Sequence, residues 1–117
     1  MKVLIVDDEP LVRRSLERVF TKNKHQVETA ENGLEGVKKW KLFQPDLVFL
    51  DVLMPGLSGP EVLEKMKSES QAKIIMMSAF TGDRKQNETQ AMGAHLFLAK
   101  PFEDIFKIYD QAVDMMK

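Results

Sequence analysis

The sequence predicts a single α/β domain: a doubly wound parallel sheet, of the (βα)5 kind, with helices on both faces. Three observations carry that prediction. Short apolar runs alternate with amphipathic stretches along the whole chain. The runs are too short for helices and apolar throughout, as strands covered on both faces should be. Acids, a hydroxyl and a lysine come directly after the runs, at the strand ends where an open parallel sheet collects ligands.

The elements run in this order. Val3–Val6 (VLIV) reads as a buried strand. Pro10 suits the first turn of a helix. Leu11, Val12, Ser15, Leu16, Val19 and Phe20 then share one face, and Arg13, Arg14, Glu17 and Arg18 the other. Gln26–Ala30 (QVETA) alternates, which predicts an edge strand. Asn32 is a good N-cap for a second helix with Gly36, Val37, Trp40 and Phe43 on its inner face. Glycine costs about 1 kcal/mol against alanine inside a helix, so Gly36 predicts a close approach there. Leu47–Leu50 (LVFL) is the third strand, and a helix starting near Pro60 should bury Val62, Leu63 and Met66. Ile74–Met77 (IIMM) and Leu96–Ala99 (LFLA) read as two further buried strands. Between them DRKQNETQAM has almost no apolar face before Ala91 and Met92. Packing rather than propensity stabilises most helices, so this fourth helix is expected to be the loosest element. A last helix runs from Glu103 with Ile105, Ile108, Tyr109, Ala112, Val113 and Met116 as its stripe. Crossovers between parallel strands should be right-handed. No linker, repeat or low-complexity tract interrupts the pattern.

Composition removes several classes of function. The 117 residues amount to one domain, with 17 basic against 18 acidic side chains, so no basic excess points to nucleic acid. There is no cysteine, hence no disulfide and no thiolate metal site. The N-terminal apolar run is short and ends in acid, unlike a secretory signal, and no stretch approaches the roughly 20 apolar residues of a membrane span. A cytoplasmic location is the expectation. The eight methionines are scattered and read as core filler.

The chemistry sits at the carboxyl ends of the strands. Asp7, Asp8 and Glu9 stand after the first, Asp51 after the third, Ser78 after the fourth and Lys100 after the fifth. A lone strand-end Asp is usually structural, but this set is hard to explain as turns. Several carboxylates in one hollow suit a hard cation such as Mg2+, with Mn2+ as an alternative. Without it the acids would repel and raise one another's pKa. A carboxylate can accept a phosphoryl group, Lys100 can pair with a phosphoryl oxygen, and Ser78 can donate a hydrogen bond to one. The arrangement reads as metal-assisted phosphoryl transfer onto Asp51.

The motifs IVDDEP, LVFLDVLMPGLSG, MMSAF and LFLAKPF resemble the receiver domain of bacterial two-component response regulators, in the right order and over the whole chain, 1–117. The resemblance implies a flavodoxin-like strand order, 2-1-3-4-5. It implies Mg2+ held by Asp7, Asp8, Asp51 and the backbone carbonyl of Leu53, with Asp51 as phosphoacceptor from a partner's phosphohistidine. Ser78 would bind the phosphoryl group, Lys100 would form its ion pair, and the Lys100–Pro101 bond would be cis. Ser78 and Phe97 would switch the face made by the fourth helix, fifth strand and last helix. Ser78 stands where Thr is commoner, and Phe97 where Tyr is. The implied partners are a sensor histidine kinase or phosphotransfer protein and a downstream effector protein, with no direct nucleic-acid contact and no membrane. The domain would catalyse only its own phosphorylation and dephosphorylation and is not otherwise expected to be an enzyme.

Rival readings remain at several residues. Glu9 is either a further metal neighbour or a first-turn acid favoured by the helix dipole. His25 and His95 lack a His, Cys or acid at ligand spacing and read as surface histidines rather than relay or metal groups. Pro55, Gly56 and Gly59 lack the Gly-Lys-Ser/Thr of a phosphate loop and read as a tight turn. Lys38, Lys39 and Lys41 read as a solvated helix face. A phosphorylation-independent module need not keep Asp7, Asp8, Asp51, Ser78 and Lys100 together. A flavin binder would want a neutral or hydroxyl-rich first loop, where DDE would repel phosphate. An aspartyl-phosphate hydrolase would want a second acid where Leu53 stands. A chain ending with this helix would act by binding a partner; as a piece of a longer regulator, it would precede an output domain.

Overall fold

The computed structural model describes residues 1–79 and 93–117. The weakly apolar stretch expected to form a fourth helix, and Phe80, lie outside the described residues. Five strands form one parallel sheet: β1 (Lys2–Val6), β2 (Gln26–Ala30), β3 (Leu47–Asp51), β4 (Lys73–Ser78) and β5 (Leu96–Ala99). Their order is β2-β1-β3-β4-β5. Four helices are described: α1 (Pro10–Lys22), α2 (Gly33–Phe43), α3 (Gly59–Met66) and α4 (Ile105–Met116).

The period-2 alternation of the central strands makes two cores, one on each face of the sheet. Leu4, Val6, Val48, Leu50, Ile74 and Met76 pack with Val37 and Trp40 of α2 and Val62, Leu63 and Met66 of α3. The alternate residues Val3, Ile5, Leu47, Phe49, Ile75 and Met77 pack with Leu16, Val19 and Phe20 of α1 and Ala112 of α4. Both faces of the central strands are therefore covered, which is why their interior positions carry no polar residue.

The helix ends obey local chemistry. Asn32 accepts from the Glu35 N–H at 2.8 Å and caps α2. Ser58 and Glu61 form a reciprocal capping box at α3, one residue before the expected start at Pro60. A Cβ on Gly36 would stand 2.8 Å from Val6 Cγ1, so the expected close approach of α2 to β1 is real.

Three expectations need correction. Leu11 and Ser15 are exposed, because the buried stripe of α1 is Val12, Leu16, Val19 and Phe20, and both lie one position round the helix from it. Phe43, by contrast, is partly buried and packs against the core from the inner face of α2, as expected. β5 is the second edge strand and is only half-buried, although its sequence is wholly apolar. His25 is no free surface residue. Its Nδ1 lies 3.1 Å from the Met1 ammonium, its Nε2 2.9 Å from the Tyr109 hydroxyl, and its ring meets the edge of Phe20. An ammonium only donates, so Nδ1 accepts and Nε2 carries the hydrogen. His95 is exposed as expected, with Nδ1 accepting from the Ile74 N–H at 3.0 Å.

Candidate functional site

Parallel strands all end at one rim, and that rim gathers the polar residues of the core. Among the described residues, the buried polar or charged ones are Asp7, Asp51, Ser78 and Lys100, one from each of four strand ends. Asp7 is fixed by its own loop. Its Oδ1 accepts from the Glu9 N–H at 2.8 Å, its carbonyl accepts from the Arg13 guanidinium at 2.8 Å, and its N–H donates to the Ala30 carbonyl at 3.1 Å. Asp51 is the last residue of β3, in register with Met77 of β4. Gly59 closes the loop behind it: its N–H donates to the Val52 carbonyl at 2.9 Å, and a Cβ there would collide with the Asp51 carbonyl oxygen.

Lys100 ties the strand ends together. Its N–H donates to the Ser78 carbonyl at 2.8 Å, which fixes β5 against β4 at the rim. Its ammonium donates to Asp7 Oδ2 and to Glu9 Oε1, both at 2.9 Å, and lies 3.3 Å from Asp51 Oδ1. The Lys100–Pro101 bond is cis. Glu9 therefore fits neither sequence reading alone: it lies in the acid cluster and hydrogen-bonds the lysine. Nothing in its local sequence signals this, because Lys100 is 91 residues away.

Asp7, Asp8, Glu9 and Asp51 each offer a carboxylate oxygen, and these oxygens lie within 4.8 Å of one another. Among the described residues, four acids against one ammonium leave the rim short of positive charge. Burial, then the charge of Asp7, pushes the Asp51 carboxyl up to about 7, against the pull of Lys100. Burial likewise raises Asp7. Burial alone would lower Lys100, but hydrogen bonds to Glu9 and Asp7 and the nearby Asp51 hold it above the ordinary lysine value. An all-oxygen donor set with excess negative charge fits a hard dication.

The remaining residues singled out by sequence take less central places. Leu53 lies just beyond Asp51 in the rim loop with its side chain 70% exposed, while Met54 turns inward. Phe97 is partly buried on β5, in register with Met76 and against the α2–α3 core. Gly56 takes φ 78°, so the Pro55–Gly59 segment is a turn that requires glycine's backbone freedom. No helix of the described residues is long and apolar enough to cross a membrane.

Comparison with known proteins agrees with this geometry. The family model for the response regulator receiver domain matches residues 3–110. Sporulation initiation phosphotransferase F of Bacillus subtilis is 39% identical over 110 residues, covering 93% of this chain and 88% of its own. The chemotaxis protein CheY of the same organism is 38% identical over 104 residues, 87% of each chain. Among solved structures, the CheX–CheY–BeF3–Mg2+ complex from Borrelia burgdorferi superposes with a TM-score of 0.90 at 30% identity, over 100% of this chain and 90% of that one. Fold, acid cluster and sequence agree: the chain belongs to the response regulator receiver domains of two-component signalling.

Proposed function

We propose that the domain accepts a phosphoryl group on Asp51 from a partner's phosphohistidine and uses the modification to change what it binds. The observation that carries this is the placement of Asp51: a buried carboxylate flanked by Asp7 and Lys100 at the meeting point of the strands. An Asp51 carboxylate oxygen attacks phosphorus, the P–N bond to the partner's imidazole breaks, and the ring nitrogen leaves with its electron pair. Asp51 must be ionised to attack, and its carboxyl is raised to about 7 even beside Lys100, so a bound cation would be what keeps it charged at neutral pH. Asp7, Asp8, Asp51 and the Leu53 carbonyl would hold Mg2+, or Mn2+. When bound, the ion supplies positive charge to the transferring phosphoryl oxygens. Lys100 pairs with one of these oxygens and the Ser78 hydroxyl donates to another. The domain thus promotes its own phosphorylation and dephosphorylation and turns over no other substrate.

The rim also suits a protein partner that carries the histidine. Leu11 and Phe106 are 75% and 65% exposed beside a groove between α1 and α4, edged by Arg14, Arg18 and Lys22. An amphipathic helix with acidic flanks, from a sensor histidine kinase or phosphotransfer protein in the cytoplasm, fits that chemistry. The effector would read the face expected from the fourth helix, which lies outside the described residues, together with β5 and α4; Phe97 on β5 is partly buried. Beryllofluoride should then change hydrogen exchange around Phe97; changes confined to the acid loops would contradict the switch.

Intact mass after acetyl phosphate and Mg2+ tests the reading. One added phosphoryl group in the wild type, absent in Asp51→Asn and with chelator present, is the expected result. Addition that persists in Asp51→Asn would contradict it.

A further inference from the structure

We propose that Glu9 is a positioning residue for Lys100: it shares the resting ammonium with Asp7 and releases it when Asp51 carries a phosphoryl group. The inference rests on the phosphoacceptor reading above. An ammonium has three donors. Here Asp7 Oδ2 and Glu9 Oε1 take two of them at 2.9 Å, and Asp51 Oδ1 lies at 3.3 Å for the third. A phosphoryl oxygen arriving on Asp51 takes over the donor now directed at Asp51 Oδ1 and draws the ammonium towards it, at the expense of the two shorter contacts.

Burial decides which. The Asp7 side chain is fully buried, and its other oxygen is already bound to the Glu9 N–H. Taking the lysine from it would leave a fully buried carboxylate with the cation as its one counter-charge and no water to replace the lost hydrogen bond, which is costly. The Glu9 side chain is 57% exposed, so water solvates its carboxylate once the ammonium leaves. Glu9 also stands at the N-cap of α1 without using its side chain as a cap. Its carboxylate is therefore free of helix-start duty, and its principal contact is the lysine 91 residues away. Asp7 is the fixed arm of the lysine cradle and Glu9 the exchangeable one.

A contact made only in the resting state opposes the phosphorylated one by its own differential free energy. Removing it should favour the state in which Lys100 faces the phosphoryl group. For a half-exposed charged hydrogen bond, the shift is about three- to tenfold.

The test compares wild type, Glu9→Gln and Glu9→Ala by calorimetry, with Mg2+ alone and with beryllofluoride plus Mg2+, alongside hydrogen exchange of the Lys100 ammonium by NMR. Both variants should bind beryllofluoride about three- to tenfold more tightly, bind Mg2+ alone within about threefold of wild type, and show faster ammonium exchange in the resting state. Beryllofluoride affinity unchanged or weakened in both variants overturns the inference. So does a large loss of Mg2+ affinity, which would make Glu9 a metal neighbour. A wild type that binds Mg2+ but no beryllofluoride overturns the phosphoacceptor reading and this inference with it. A wild type that binds beryllofluoride while the variants match it overturns the role of Glu9 alone.

Discussion

The two ends of the sheet are built on opposite electrostatic plans. At the carboxyl ends of the strands, among the described residues, four carboxylates face one ammonium, and the Asp51 carboxyl is raised to about 7. At the amino ends, polar groups meet in matched pairs. The Lys2 N–H donates to Asp46 Oδ2 at 2.8 Å, the Lys73 ammonium to the Met115 carbonyl at 3.0 Å, and the Trp40 indole N–H to Ser70 Oγ at 2.9 Å. His25 joins the Met1 ammonium to the Tyr109 hydroxyl in the same manner. One end is satisfied as it stands and contributes stability. The other is left unbalanced, and an unbalanced acid site is where a cation and a phosphoryl group can do chemistry. Substitutions at the two ends should therefore separate function from stability.

The largest effect expected is at Asp51. Asp51→Asn should abolish phosphorylation, yet raise the melting temperature at pH 8 without divalent cation, since it removes a carboxyl that the fold disfavours when charged. A lower melting temperature would show that the rim is balanced after all. Asp8→Ala should weaken Mg2+ binding about tenfold or more by calorimetry, because it removes one of few carboxylate donors. Unchanged affinity would remove the metal from this cluster.

Smaller effects sharpen the contrast. Leu53 cannot orient a water at the phosphoryl group, so Leu53→Asn should speed loss of the phosphoryl group several-fold, measured by phosphate release. The phosphorylated state should accordingly be long-lived in the wild type; rapid decay that Leu53→Asn does not accelerate would free this position of any role.

The rim also predicts a pH dependence. Asp51 titrates near 7 in the fold against 3.8 in the unfolded chain, so between those values the native state holds more protons. Its contribution is complete below 3.8 and lost as pH rises through 7. Cation binding requires the carboxylate, so Mg2+ should raise the melting temperature more at pH 8 than at pH 6. An equal rise at both would contradict the raised carboxyl.

The smallest effect belongs to the amino end. Tyr109→Phe should cost about 0.5–1.5 kcal/mol by denaturant unfolding and leave phosphorylation unchanged. Burial, then the Met1 ammonium, lowers His25 below 6.5, so its stabilising neutral form is complete above that value and lost as pH falls through the lower folded one. The increment from Tyr109 should fade with it in acid.

The same contrast explains how far the sequence is legible. The strands can be read because burial on both faces leaves runs such as LVFL with no polar residue, and the rim because acids, a hydroxyl and a lysine follow four such runs as a set. Leu11 escapes such reading because helical periodicity fixes a face only to within a residue, and the first turn of α1 faces the rim groove rather than the core. β5 resembles a covered strand because apolarity alone does not separate an interior strand from an edge. The His25–Tyr109 and Glu9–Lys100 contacts join residues 84 and 91 positions apart, and no local signal could announce them.

The most direct test of the central claim is to trap the acyl phosphate where it forms. Wild-type protein treated with acetyl phosphate and Mg2+, reduced with borohydride and mapped by peptide mass spectrometry should yield homoserine at position 51 and at no other aspartate. Reduction at Asp7 or Asp8 instead, or unmodified Asp51 in protein that has gained a phosphoryl group, would contradict the account.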